Sequence, residues 1–561
     1  MPFRIFFRTV FCFGVSLLLL PALQAQRITV QADSYQQTWQ GAGSSIPLFL
    51  FNHFQLPPAG QAEAIDLIVD KLELGFLQDY PEFRVAAQPD YYARRAEYFT
   101  AAKAVDAEVK ISMTFSIFPD DLRKDTVIGG ENVRRLDFRR PGIYDDVAGW
   151  YFEIMSYYAE RGLDVEIVNA VNEPDFIVRR YGFGNDSRRA TAMIFDEAIS
   201  SLKAMIDDPS INTAGVKQPL VMGPSTLSTS AAVGFINYYK ENAPAAWDNI
   251  DIVSYHQYGA GTGGALATLP NIAEGRPVYQ SEMHTNRGDD LPALTNLSVN
   301  HRGALSLART IGASLNGGTN AWFYFLNVFP TDDSNPGLLK VRGGFDRPIP
   351  FKHYYAFRQL TSAQAIGSRR VEHELASIRV NDGQVMTFRE EGVDTLYVHL
   401  TNFVSSTREV AIVATDSTGA RLTLKGHTQR TTDATLDDER AIFAANTGSS
   451  DTLMVTAGPY SVNTYAVALG EVSPVREVLA SGQTLNATRR GDAYILTGLS
   501  QHELVGVNKS PSSVNMYGLD GRRVGAQVAV TGNTIVVRPA QRLVGIFLVE
   551  VVGVGTVRVA W

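Results

Sequence analysis

Cysteine is all but absent. The 561 residues contain one, Cys12, and it lies in an amino-terminal stretch expected to be removed. A chain without thiols has no disulfide, no thiolate metal site and no cysteine nucleophile. The nine histidines are scattered without close ligand spacing, so neither a metal nor a cofactor is expected. Concentrated basic charge is missing too. Fifty Lys and Arg against 58 Asp and Glu leave a net charge of −8, a poor match for nucleic acid or an anionic membrane. Beyond the amino terminus no apolar run is long enough to span a bilayer. Solenoid repeats and low-complexity tracts are absent as well.

What is present begins with a leader. Arg4 and Arg8 flank an apolar run over 10–20, followed by Pro21-Ala22-Leu23-Gln24-Ala25. That pattern predicts a signal peptide over 1–25 and a protein secreted or held at the cell surface. A monomer is expected.

From residue 39 strand-like and helix-like segments alternate. The glycine-rich Trp39-Gln40-Gly41-Ala42-Gly43-Ser44-Ser45 opens the series; its spacing is not that of a phosphate loop. Apolar runs near 74–77, 109–115, 165–171, 220–224, 250–256, 277–282 and 321–325 follow. Helical periodicity lies between and after them, near 59–72, 91–105, 143–161, 190–206, 231–241, 305–315 and 354–360. Eight strands in order, with helical segments between and after them, predict an α/β chain with a (β/α)8 TIM barrel over 39–362. Beyond it helical periodicity disappears. Short alternating runs predict an antiparallel β-sandwich from 26–38 plus 363–470, and a small carboxyl-terminal β unit over 471–561.

Two acids stand at strand ends. The run Val165-Glu166-Ile167-Val168-Asn169-Ala170-Val171 stops at Asn172-Glu173-Pro174, and proline cannot continue a ladder. Glu282 closes Pro277-Val278-Tyr279-Gln280-Ser281-Glu282 in the same way. In a parallel barrel the carboxyl ends of strands converge on one mouth. Two carboxyl groups facing each other there are what glycosidic bond hydrolysis needs, one as acid and one as nucleophile or base. Asn172 is placed to bind a sugar hydroxyl beside the reaction centre. His256 and Tyr258, after strand six, are candidates to orient Glu282 or bind sugar. Among aromatics, Tyr80, Trp39, Tyr324 and above all Trp322 are candidates to stack on sugar rings.

These residues resemble clan A of the retaining glycoside hydrolases, and within it family 30. Asn172-Glu173-Pro174 and Ser281-Glu282 carry the resemblance, with Trp39-Gln40-Gly41-Ala42-Gly43-Ser44 similar to the family's opening motif. Lys352-His353-Tyr354-Tyr355-Ala356-Phe357-Arg358-Gln359-Leu360 resembles the helix leaving the barrel, and Pro459-Tyr460-Ser461-Val462-Asn463-Thr464-Tyr465 the last sandwich strand. The resemblance implies Glu173 as acid/base, Glu282 as nucleophile, and net retention. The substrate would be a polysaccharide of xylan, β-1,6-glucan or galactan type, cut internally. Where that family often carries an arginine at the end of strand two, this chain reads Phe76-Leu77-Gln78, with Arg84 the candidate to replace it. Strand three exits at Ser116-Ile117-Phe118-Pro119, a loose version of the family's Ser-Pro-Pro.

The segment from about 511 resembles a type IX secretion sorting domain, through Val514-Asn515-Met516-Tyr517-Gly518-Leu519-Asp520-Gly521-Arg522-Arg523-Val524 and Gly545-Ile546-Phe547-Leu548-Val549-Glu550-Val551. That resemblance implies secretion machinery as a partner. Two alternatives use the same acids: an agarase- or porphyranase-like clan A hydrolase on marine galactans, and a non-catalytic glycan-binding surface protein. Connections over 117–140, 259–273 and 327–350 are expected to set the subsites, with Arg123, Arg134, Arg135 and Arg342 as candidates for acidic groups.

Overall fold

The computed structural model describes residues 26–46, 53–128, 131–175, 187–258, 262–285, 294, 296–329, 337–341, 345–443, 450–470 and the strands between 486 and 560. Residues 1–25, expected to form a signal peptide, residues 471–485 and Arg342 lie outside the described residues.

Eight parallel strands close a barrel in chain order: Gly41–Ser45, Phe76–Asp79, Lys110–Thr114, Val165–Asn169, Leu220–Thr226, Ile252–His256, Val278–Met283 and Ala321–Tyr324. The order matches the reading from periodicity. Strand four ends at Asn169, two residues early, so Asn172 and Glu173 belong to the loop beyond it. Helices pack outside. In Ile143–Ala159, Ile143, Val147, Tyr151, Ile154 and Tyr158 recur every three or four positions and are buried. That helix stops before Gly162, whose φ of 73° lies in the left-handed region open to glycine.

The barrel interior is layered. Phe76, Ile167, Met222, Ile252, Tyr279, Ala321 and Phe323 form an apolar plug. Gly43 makes room for it, since a Cβ there would lie 2.4 Å from the Phe323 ring. Above the plug is a polar layer. Ser45 donates to Gln78 at 3.0 Å, Gln78 to Thr114 at 2.6 Å, and Asn169 sits between Thr114 and Ser225. Ser225 continues to Ser254 at 2.6 Å and Ser281 at 3.3 Å.

A nine-stranded sheet lies beside the barrel, with Gln26–Thr38 inserted between Arg369–Ala376 and Arg408–Thr415. Pairing is antiparallel except between Gln26–Thr38 and Arg408–Thr415, which run parallel. Ile28, Val30, Val398, Ile412, Tyr465 and Val467 form its own core. The helix Lys352–Thr361 joins it to the barrel, with Gln359 donating to Val462 O at 2.9 Å and Arg358 pairing with Asp438 at 2.6 Å. Toward the carboxyl terminus the described strands form a pair of four-stranded antiparallel sheets. No helix among the described residues is long and apolar enough to cross a membrane.

Two expected open connections carry structure. Residues Arg123–Ile128 and Glu131–Leu136 form a hairpin, and Thr262–Ile272 is a helix. On the hairpin Arg123 pairs with Asp120, and Arg134 with Asp120 and Asp125, while Arg135 lies 5.7 Å from the Phe138 ring.

Candidate active site

Glu173 and Glu282 meet at the carboxyl-terminal mouth of the barrel. Ligand atoms of Glu173, His256 and Glu282 all lie within 4.8 Å of one another. Among the described residues this is the one cluster of its kind, and it is also the one that could hold a metal ion. All three side chains are buried.

Local backbone aims each acid. Beyond strand four, Asn172 N–H donates to Phe115 O at 3.1 Å and Glu173 N–H to Ser225 O at 2.9 Å. Glu173 has φ of 45°, a left-handed conformation that costs a non-glycine residue about 1–2 kcal/mol. Such strain persists only where surrounding structure over-determines it. In strand seven the ladder pairs Tyr279 with Ser254 and Gln280 with Tyr255, then skips to Glu282 with His256. The extra residue, Ser281, is a bulge. Bulges re-aim side chains, and this one turns Glu282 inward beside Ser281, where plain alternation from Tyr279 would point it out.

His256 Nδ1 lies 2.8 Å from Glu173 Oε1 and 3.8 Å from Glu282 Oε1. Tyr80 donates its hydroxyl to Glu282 Oε2 at 2.6 Å, and Tyr258 to Oε1 at 3.3 Å. Burial pushes Glu282 above the ordinary glutamate range; the charge of Glu173 adds to this, and His256, Tyr80 and Tyr258 oppose it. For His256 burial alone lowers the pKa, but Glu282 and Glu173 outweigh it and the net direction is upward.

Of the residues singled out in the sequence, Glu173, Glu282, Asn172, His256, Tyr258 and Tyr80 come together. Asn172 is buried, and its side-chain oxygen has no partner among the described residues. Trp322 does not join them. Ala321 and Phe323 face the barrel interior, so alternation turns Trp322 outward, where it packs 5.7 Å from Phe357. Tyr324 also faces out, stacked on His353. Trp39 is buried in the barrel–helix core at the opposite end of strand one. Arg84 does not replace the missing arginine: it pairs with Asp121 at 2.8 Å and Glu153 at 3.1 Å. Gln78 holds that position, inside the polar layer.

Two mouth residues escaped the sequence reading. Phe325 lies 5.6 Å from Tyr80 and 6.2 Å from His284, and His284 lies 5.2 Å from Tyr258. Tyr80 and Tyr258 also donate to Glu282, and Phe325 and His284 pack beside those two rings. Position was the available signal, since both follow directly on strands seven and eight.

No family model matches the sequence, and no curated protein matches it. Solved structures do. A GH30 endoxylanase from Clostridium papyrosolvens C71 superposes with TM-score 0.60 at 16% identity, over 79% of this chain and 100% of that one. The fold is GH30-like. The catalytic domain of GH30 xylanase C from Talaromyces cellulolyticus gives TM-score 0.60 at 15% identity, over 79% and 100%. An endo-β-1,6-glucanase gives 0.55 at 15%, over 79% and 94%. At these identities the likeness establishes the GH30-like fold of barrel and side sheet.

Proposed function

We propose that this protein is a retaining glycoside hydrolase that cuts a β-linked polysaccharide internally. The observation that carries the reading is the approach of Glu173 and Glu282 oxygens to within 4.8 Å at the barrel mouth. Retention requires carboxyl groups about 5–5.5 Å apart, whereas inversion leaves room for a water at about 6.5–9.5 Å. Glu173 protonates the departing glycosidic oxygen while Glu282 bonds to the anomeric carbon. Glu173 then takes a proton from water, which releases the sugar from Glu282. Hydrogen bonds from Tyr80 and Tyr258 favour Glu282 as the ionised partner. The unpartnered Asn172 oxygen is an acceptor for a sugar hydroxyl.

Solved proteins of this fold include endoxylanases and an endo-β-1,6-glucanase. They support a substrate of xylan or β-1,6-glucan type; the galactan type rests on the sequence resemblance alone. The leader and the carboxyl-terminal β unit support export, with the latter as a sorting address.

The test is incubation of the full chain with plant, fungal and algal polysaccharides, with products read by mass spectrometry and NMR. Oligosaccharides of retained configuration are expected. E282A abolishes their release, and azide restores turnover with inverted product. Unchanged hydrolysis by E282A, or no product from any polysaccharide, overturns the reading.

A further inference from the structure

We propose that Tyr80 is the positioning residue that keeps Glu282 oriented and ionised, and that a buried Asp79–Arg95–Tyr91 cluster behind the barrel wall holds Tyr80 in place. The inference rests on the reading of Glu282 as nucleophile and adds to it the rank of Tyr80 over Tyr258 and the cluster that fixes Tyr80 in place.

The groups facing Glu282 come from three places. Glu173 reaches it from the loop after strand four, and His256 and Tyr258 from strand six and its exit. Tyr80 reaches it from the exit of strand two. His284, two residues on, lies against Tyr258, its ring tilted at 5.2 Å, and its charge partner is Glu173. Among the described residues the one basic group within 4 Å of the carboxylate is His256, and it is closer to Glu173. No described lysine or arginine pairs with Glu282, so neutral phenols supply its closest donors. Tyr80 is the nearer, at 2.6 Å on Oε2 against 3.3 Å for Tyr258 on Oε1. A hydrogen bond to the charged form favours ionisation. It opposes burial and the neighbouring Glu173, both of which favour the proton.

The tyrosine is pinned at both backbone groups. Its N–H donates to Asp79 Oδ1 at 2.8 Å, and its carbonyl accepts from the Tyr91 hydroxyl at 2.9 Å. Arg95 ties these anchors together, 3.1 Å from Asp79 Oδ1 and donating to the Tyr91 oxygen at 2.6 Å. Tyr158 donates to Asp79 Oδ2 at 3.1 Å, and Arg95 also reaches Ile46 O at 3.1 Å. Asp79 and Arg95 are 0% and 1% exposed, so water does not compete for their ion pair. The cluster faces away from the mouth and touches neither acid. Its effect on the reaction passes through the phenol.

In the reaction, Glu282 loses its charge when its oxygen bonds to the anomeric carbon. It regains the electron pair when water displaces it. A fixed donor on Oε2 stabilises the carboxylate at both ends of this cycle and holds its plane toward the sugar.

The test uses the full chain labelled with 13C at the glutamate carboxyl carbon, with the Glu282 signal identified by its loss in E282Q. Titration of that signal needs no substrate. Y80F is expected to raise the Glu282 pKa by about one pH unit, a tenfold change in ionisation, and Y258F to raise it less. On any polysaccharide the wild type hydrolyses, the acid limb of kcat/KM in Y80F moves up equally while KM stays within about twofold. An unchanged Glu282 titration in Y80F, or an equal shift in Y258F, overturns the proposal. Should Y80F fail to fold, Y91F serves: it frees the Tyr80 carbonyl and is expected to move the titration the same way, and no movement overturns the proposal. A wild type without hydrolytic activity would sink the proposed function and leave this titration result standing by itself.

Discussion

His256 stands between the two acids, its Nδ1 2.8 Å from Glu173 and 3.8 Å from Glu282. One imidazole therefore meets both carboxylates, and in the proposed double displacement its loss affects both steps. H256A is expected to lower kcat about 100-fold, the effect of mispositioned catalytic groups, with a smaller change in KM. Stability follows the raised pKa. Its contribution is full below the unfolded value of about 6.5 and is lost as pH rises through the higher folded value. Thermal unfolding of wild type and H256A should therefore differ more at acid than at alkaline pH.

Glu282 is the opposite case for the folded state, an acid retained against its surroundings. Its raised pKa means that the stability it lends is full below the ordinary glutamate range and disappears as pH rises through the folded value. Glutamine stays neutral throughout. E282Q is expected to be inactive yet more stable at neutral pH, by about 2–4 °C for each kcal/mol recovered. Calorimetry across pH should show the gain shrinking toward acid.

Phe325 tests the ring of aromatics. It contacts Tyr80 and His284 edge-on or tilted and is half-buried, so a face remains for a sugar. F325A is expected to raise KM about tenfold with kcat little altered, consistent with loss of roughly 1.4 kcal/mol of stacking. Initial-rate kinetics on the hydrolysed polysaccharide would check it.

Arg95 tests the scaffold. R95M leaves Asp79 buried without its cation, which costs about 3–5 kcal/mol. The D79N/R95M pair should recover some of that loss, because no charge is then stranded. Urea unfolding of the single and double variants measures the difference.

Much of the barrel was legible because its signals are local. Gly162 marks the end of a helix, Pro174 follows the acid, and β-branched residues fill strand four. Boundaries moved by a few residues where the ladder, not composition, ends a strand. The hairpin over Arg123–Leu136 went unread because its strands are charged and lie outside the core pattern. Trp322 was misread for a geometric reason. Aromatic character says nothing about face, and one position along a strand separates interior from exterior.

The sequence alone determined the order of strands and helices and pointed to two acids near strand ends, since periodicity and punctuation act over a few residues. Tertiary structure decided which side chains meet. It placed a bulge at Ser281 that turns Glu282 inward, and it joined Tyr80 to Glu282 across 202 positions. Barrel closure brings distant strand ends together, and no local pattern encodes the faces that then touch.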